Sequence, residues 1–272
     1  ILPLLKNTYH AIFLYGSRSI YDPVAEYSLS PTIEKKVIAC GYVGRKQTPH
    51  PPQEVRARLT LKTDRLVLVT PGGGDDGYPL LKTYITMLRK RFASSPPTFD
   101  TLLVTGPMMA PRKRLRLQQA ANAELALTVT DFTPHLYDYL SAADLVVSMG
   151  GYNTIVEILA ANQRGIIVPR VQPRLEQCIR AERLSAKGLL EMIHPTKLTP
   201  ASLYHAITHS LQRPRPPRSE DIGVPLDGAA NVSRVVQQLY ADRLRPKTSV
   251  MQLPRFTDFR MTPMVIPTGS MR

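Results

Sequence analysis

The chain has 272 residues, 43% hydrophobic and 21% charged, which suits one large domain, or one domain with part of a second, and excludes wholesale disorder. Its longest apolar runs, such as IIVP at 166–169, fall far short of the roughly 20 residues that cross a bilayer. Thirty-five Lys and Arg against 21 Asp and Glu leave a net charge of +14, which favours anionic partners: nucleic acid, nucleotide phosphates or an acidic membrane surface. Cys40 and Cys178 are too few for a disulfide framework or a four-ligand structural zinc, so a reducing, cytoplasmic setting is expected.

The opening ILPLLKN has neither an initiator Met nor a signal-peptide pattern, and Ile1 reads as a truncation point. Residues 1–44 hold two short apolar runs, AIFLY at 11–15 and KVIACGYVG at 36–44, too little for a core of their own. After QTPHPP at 47–52 the texture becomes a regular alternation of apolar runs and amphipathic segments. The runs are RLVLVT (65–70), TLLVT (101–105), LALTV (125–129), DLVVS (144–148), GIIVP (165–169) and LLEMI (189–193). This alternation predicts an α/β, Rossmann-like domain over 45–243, with a parallel sheet of about six strands and crossover helices on both faces.

Helices are expected at PHLYDYLSAA (134–143), with Thr133 as N-cap and Pro134 as first residue, and at NTIVEILAA (153–161). Another is expected at RLEQCIRAERLSAKG (174–188), stopped by Gly188, and a last one at 229–241, after the Pro/Arg segment RPRPPR at 213–218. Residues 244–272 form a basic, Pro-rich tail, with Arg245, Lys247, Arg255, Arg260 and Arg272 against Asp258 alone, and are expected to stay outside the core.

Three features carry the chemistry. The first is LVLVTPGGGDDGYPLLKTY, where Gly72, Gly73 and Gly74 lie between a strand and a helix. Consecutive glycines there let the backbone approach an anion and aim its amides at it, aided by the helix dipole. Gly72, Gly74 and Gly77 fit GxGxxG, but the next strand ends TLLVTGP without the acid a dinucleotide site needs, so a nicotinamide site is not expected. A tight turn with no ligand is the competing reading, and Asp75 and Asp76 read as N-terminal helix residues rather than metal ligands.

The second feature is SMGGYNTIVEIL. A strand ends at Ser148, Gly150 and Gly151 turn the chain, and Thr154 and Glu157 lie three apart on one helix face. A carboxylate in that place can accept two sugar hydroxyls, at about 1.5–3 kcal/mol per charged hydrogen bond, or it can merely complement the helix dipole. In the third feature, Glu176 and Gln177 open a helix at the carboxyl edge of the sheet, where open α/β folds bind ligands.

The glycine-rich first turn, then DFTPHLYDYLSAADLVVSMGGYNTIVEILAANQRGIIVPR, then EQCIRAERLSAKG, resembles the carboxyl-terminal, donor-binding half of GT-B glycosyltransferases, specifically the MurG-type enzymes of glycosyltransferase family 28. The resemblance covers about 65–195 and is most specific from Gly151 to Glu157. It implies that Gly73 and Gly74 lie by the donor diphosphate, that backbone near Phe132 contacts the base, and that Thr154 is near phosphate. It also implies that Glu157 holds the ribose hydroxyls and that Gln177 reaches the sugar. Two departures touch the sugar: Ser148-Met149-Gly150-Gly151 replaces the family's Ser-Arg-Ser-Gly, and Glu176, Gln177 and Arg180 stand where MurG-type relatives carry Gln-Gln followed by Asn. By the same resemblance, residues 1–44 look like the end of an amino-terminal, acceptor-binding domain and its crossover, and the catalytic base belongs to the part that is missing.

Other constellations are weaker. His205 and His209 lack the Glu and third ligand of a zinc motif, His135 after Pro134 reads as a solvated side chain with a polar contact as the alternative, and His10, His50 and His194 show no evident partners. The basic run PRKRLRL at 111–117 lacks interleaved aromatics, so nucleic acid is not expected; an anionic membrane surface is the better partner, with plain solvated charge the competing reading. The expected function is transfer of a sugar from a nucleoside-diphosphate donor, UDP-linked, to an unidentified acceptor, without metal or cofactor. The rival readings are a nucleotide-sugar epimerase and a non-catalytic nucleotide-binding subunit.

Overall fold

The computed structural model describes residues 1–45, 48–74 and 76–244. The amino-terminal segment runs α1 (Leu2–Asn7), β1 (Ile12–Tyr15), α2 (Pro23–Glu26), α3 (Pro31–Glu34) and β2 (Val37–Gly41), followed by α4 (Pro52–Ala57). Then come β3 (Leu66–Thr70), α5 (Tyr78–Arg91), β4 (Asp100–Val104), α6 (Pro111–Gln118), β5 (Leu127–Thr130) and α7 (Leu136–Ala142). The remainder is β6 (Leu145–Ser148), α8 (Tyr152–Ala160), β7 (Gly165–Ile167), α9 (Glu176–Ala186), β8 (Glu191–Met192), α10 (Pro200–Gln212) and α11 (Gly228–Leu244).

Strands β3 to β8 form one parallel sheet in the order β5-β4-β3-β6-β7-β8. All six apolar runs are strands of it, and β3 with β6 marks the point where the order reverses. Successive side chains of a strand point to opposite faces, and both faces here are covered. Val67, Val69, Leu145 and Val147 pack with Leu81 and Leu88 of α5 and Leu203 and Ile207 of α10. Leu66, Leu68 and Val146 pack on the other side with Leu140 of α7, Ile155 and Ile158 of α8, and Leu184 of α9. Burial on both faces is why the strands read as continuous apolar runs rather than alternating ones.

The lower, amino-terminal edge of the sheet is pinned by two carboxylates. Asp100 accepts the Lys62 and Thr63 amides and the Thr63 hydroxyl, and Asp144 accepts the Leu66 amide and the guanidinium groups of Arg56 and Arg65. At the upper edge, α7 starts later than its sequence suggests. The Thr133 hydroxyl accepts the His135 amide at 3.1 Å, closing a turn, and the helix begins at Leu136 rather than Pro134. In contrast, α9 ends where expected, with Gly188 at φ +72° just beyond the Lys187 cap.

Residues 1–44 do not stand apart. β1 and β2 pair in parallel as a second small sheet, and Ile20 and Tyr42 are buried in the same apolar layer as Leu66, Leu68 and Ile155. The crossover backbone is tied to the segment before α11: the Tyr42 amide donates to Pro225, the Gly44 amide to Leu226 and the Gly228 amide to Tyr42. Asn231 of α11 donates to the Cys40 carbonyl at 3.0 Å. The basic tail lies outside the described residues, apart from Leu244, which ends α11. Among the described residues no helix is long and apolar enough to cross a membrane.

Gly106, in the turn after β4, has φ +87°, and a Cβ there would collide with the Gly72 and Gly73 backbone. Gly151 has φ −55° and nothing within 4 Å of its Cβ position. Gly106→Ala is therefore expected to cost about 1–3 kcal/mol in urea denaturation, and Gly151→Ala less than about 1 kcal/mol.

Candidate functional site: the crevice at the carboxyl ends of β3 and β6

Thr70 and Ser148 are partners in register at the ends of β3 and β6. Each is fully buried, and each hydroxyl accepts the amide two residues on, Gly72 at 3.2 Å and Gly150 at 3.4 Å. Two similar glycine turns therefore stand side by side, with Gly72, Gly74 and Gly150 all at positive φ, a region other residues enter at a cost. The first turn is clamped from the β4 side, because Gly73 accepts the Met108 amide and the Gly106 amide donates to Asp131. A Cβ on Gly72 would lie 3.4 Å from the Thr154 hydroxyl, so the glycine-rich turn abuts the first turn of α8. Gly151 caps α8 with no side-chain acceptor, so the first-turn amides lack the capping bond that a Ser or Asp would give. The structure thus brings Gly72, Gly73, Gly74, Ser148, Gly150, Gly151 and Thr154 to one place.

Glu157 lies one turn further along α8 and is 8% exposed. Burial raises its carboxyl above the ordinary carboxylate range, and Arg45 works against that shift through an ion pair of 2.9 Å. The Arg45 guanidinium also lies over the Tyr137 ring, 5.5 Å from its centre. Nothing local in GYVGRKQ marks Arg45 as a site residue; only the return of the crossover segment over α8 puts it there.

Gln177 and Glu176 open α9 as expected, but they face different neighbours. Gln177 accepts the Arg170 amide at 3.2 Å, and the Arg170 guanidinium pairs with Asp76 of the β3–α5 turn at 3.3 Å. Glu176 instead pairs with buried Arg180, whose guanidinium lies 5.7 Å from the centre of the Tyr152 ring. Tyr152 stacks on Tyr42 and accepts the Val43 amide, so this cluster ties α8 and α9 to the crossover. Burial pushes the Tyr42 phenol up to about 12, against the nearby Arg180. Phe132 follows β5 on the opposite flank and is 60% exposed.

Two expectations change. Asp76 precedes α5, which starts at Tyr78, so it is no helix residue; Asp75 lies outside the described residues. His50 is not without a partner: it gives its amide and ring Nδ1 to Asp138, each at 3.0 Å, and His135 makes the polar contact of its alternative reading, with Nδ1 3.3 Å from the same carboxylate. Burial would raise the Asp138 carboxyl, but the His50 amide and the two rings outweigh it and hold it below its usual value. His194 likewise bonds Thr196, and His205 and His209 stack as a surface pair beside Glu191.

The sign of the Glu157 shift gives a test. A carboxyl whose pKa is higher folded than unfolded contributes stability below its unfolded value and loses it as pH rises through the folded value. Glu157→Gln keeps the shape without titrating, so its stability relative to the parent should improve as pH is raised from about 4 to about 7. Urea denaturation at both pH values checks this; a flat difference would mean that Arg45 fully compensates the burial.

The chain is 28% identical over 174 residues to a UDP-N-acetylglucosamine--N-acetylmuramyl-(pentapeptide) pyrophosphoryl-undecaprenol N-acetylglucosamine transferase of Streptococcus pneumoniae, covering 62% of this chain and 45% of that protein. The same enzyme of Bacillus licheniformis is 27% identical over 190 residues, covering 66% and 50%. The chain thus spans about half the length of the curated relatives it matches. Among solved structures, MurG of Acinetobacter baumannii superposes with a TM-score of 0.55 at 17% identity, covering 76% of this chain and 62% of that one. The calicheamicin glycosyltransferase CalG4 gives 0.56 at 17%, covering 88% and 54%. At such identities these superpositions speak for the fold, a GT-B half. The model of the glycosyltransferase family 28 C-terminal domain matches residues 73–234, more than half of the chain, and the chain belongs to that family.

Proposed function

We propose that residues 45–243 are the nucleotide-sugar-binding domain of a glycosyltransferase, with residues 1–44 the end of its acceptor-binding domain and the crossover. The observation that carries this reading is the juxtaposition of the Gly72–Gly74 turn with the open amino terminus of α8, with Glu157 one turn behind. Amides and a helix dipole converging on one space suit a diphosphate, and a carboxylate about 5 Å further along the helix suits the ribose hydroxyls. The donor is a nucleoside-diphosphate sugar, and the names of the relatives, which use UDP-N-acetylglucosamine, support uridine as the base.

In this reading the backbone near Phe132 contacts the base, Thr154 a phosphate, and Gln177 the sugar. Glu157 presents a carboxylate that Arg45 already orients. Catalysis is electrostatic: the amides of the two turns stabilise the charge that develops on the departing diphosphate, with no metal needed. The base that deprotonates the acceptor belongs to the acceptor-binding domain. Glu176, engaged by Arg180, holds the start of α9 in place beside Gln177.

A lipid-linked or other membrane acceptor would require docking on an anionic surface. α6 supports that use, because Arg112, Lys113 and Arg116 are exposed beside exposed Leu115 and Met108.

Isothermal titration calorimetry tests the site. UDP should bind with equal affinity with and without EDTA; loss of binding on chelation would overturn the metal-free mechanism. Glu157→Ala should cost about 2 kcal/mol of UDP binding, and the penalty for 2′-deoxy-UDP seen in the parent should vanish in the variant. A deoxy penalty that survives Glu157→Ala would place ribose recognition elsewhere.

A further inference from the structure

Arg170 and Asp76 form an ion pair of 3.3 Å. Arg170 follows β7 and Asp76 follows β3, and the strand order places β6 between them. Neighbouring strands are about 4.8 Å apart, so the pair reaches across the carboxyl end of β6. Asp76 is two residues past Gly74, which puts the guanidinium beside the glycine-rich turn. The Arg170 backbone is fixed by the Gln177 side chain, so the stem of Arg170 is anchored, while its head pairs with Asp76 among the described residues.

Both side chains are near half exposure, 43% for Arg170 and 44% for Asp76. An exposed pair of this kind has little net strength and exchanges partners readily. A guanidinium bound to a phosphate in two-pronged geometry is stronger, and Arg is suited to it. Asp76 is an awkward neighbour for a diphosphate, because a carboxylate repels phosphate oxygens unless its charge is neutralised, and here Arg170 neutralises it.

We propose that Arg170 is a diphosphate-binding residue that Asp76 holds over the crevice and yields to the donor. The inference rests on the nucleotide reading above and assigns that site a side-chain cation for its phosphates, besides the backbone amides. Asp76 is then a competitor: it positions Arg170 over the crevice and lowers donor affinity by occupying it.

The test uses the 272-residue chain and two probes, UDP and uridine, the nucleoside lacking the phosphates. Arg170→Ala should weaken UDP about tenfold or more, with Arg170→Lys recovering part of the loss. Asp76→Asn should tighten UDP several-fold, and that gain should disappear in the Arg170→Ala background. Uridine affinity, followed by ligand-detected NMR, should stay the same throughout. Unchanged UDP binding in Arg170→Ala would overturn the proposal. So would weaker UDP binding in Asp76→Asn, which would mean that the pair only holds the two turns together. A parent protein that binds neither probe would sink the nucleotide reading itself, whereas uridine binding with no Arg170 dependence for UDP would sink only this inference.

Discussion

The pairing of β3 with β6 is the constraint on which the rest of the site depends. Because these strands are parallel and adjacent in space but far apart in sequence, their carboxyl ends fall side by side, and the two turns that follow must diverge to opposite flanks. Thr70 and Ser148 repeat one local solution, a buried hydroxyl that accepts the amide of a glycine two residues on. Glycine is needed at 72, 74 and 150 because the backbone takes positive φ there, and at 106 because the neighbouring turn approaches too closely for a Cβ.

Charge inside the crevice comes largely from the crossover. Glu157 is buried enough to resist ionisation, and Arg45 offsets part of the cost from a segment that returns over α8. Tyr42 and Val43 engage Tyr152 at the start of the same helix, and His50 engages Asp138 on α7. These contacts make the stretch after β2 one wall of the crevice. Its backbone is held by the segment before α11 and by Asn231. A buried carboxylate is expensive for stability even when a guanidinium pairs with it.

The strands and turns were legible in the sequence because they follow from local pattern. Parallel strands covered on both faces give unbroken apolar runs, and all six runs between 65 and 193 are strands of the sheet. Glycines after the first and fourth runs marked the crevice, and Thr154 and Glu157, three apart on α8, were correctly placed on one buried face. Local signals failed where two readings compete within a few residues. Thr133 followed by Pro134 has the chemistry of a helix start, yet the Thr133 hydroxyl closes a turn onto His135 and the helix begins after it.

The sequence by itself determined the fold class, the family and the backbone of the candidate site, since hydrophobic periodicity and glycine placement are properties of neighbouring residues. Only the tertiary structure decided which charges meet. Arg45 with Glu157, His50 with Asp138, Arg180 with Tyr152 and Arg170 with Asp76 join different elements, and each pair exists because the strand order and the crossover bring those elements together. The physical reason is range: a period of two or 3.6 residues is written in any short window of chain, whereas an ion pair across 94 residues depends on every strand position between.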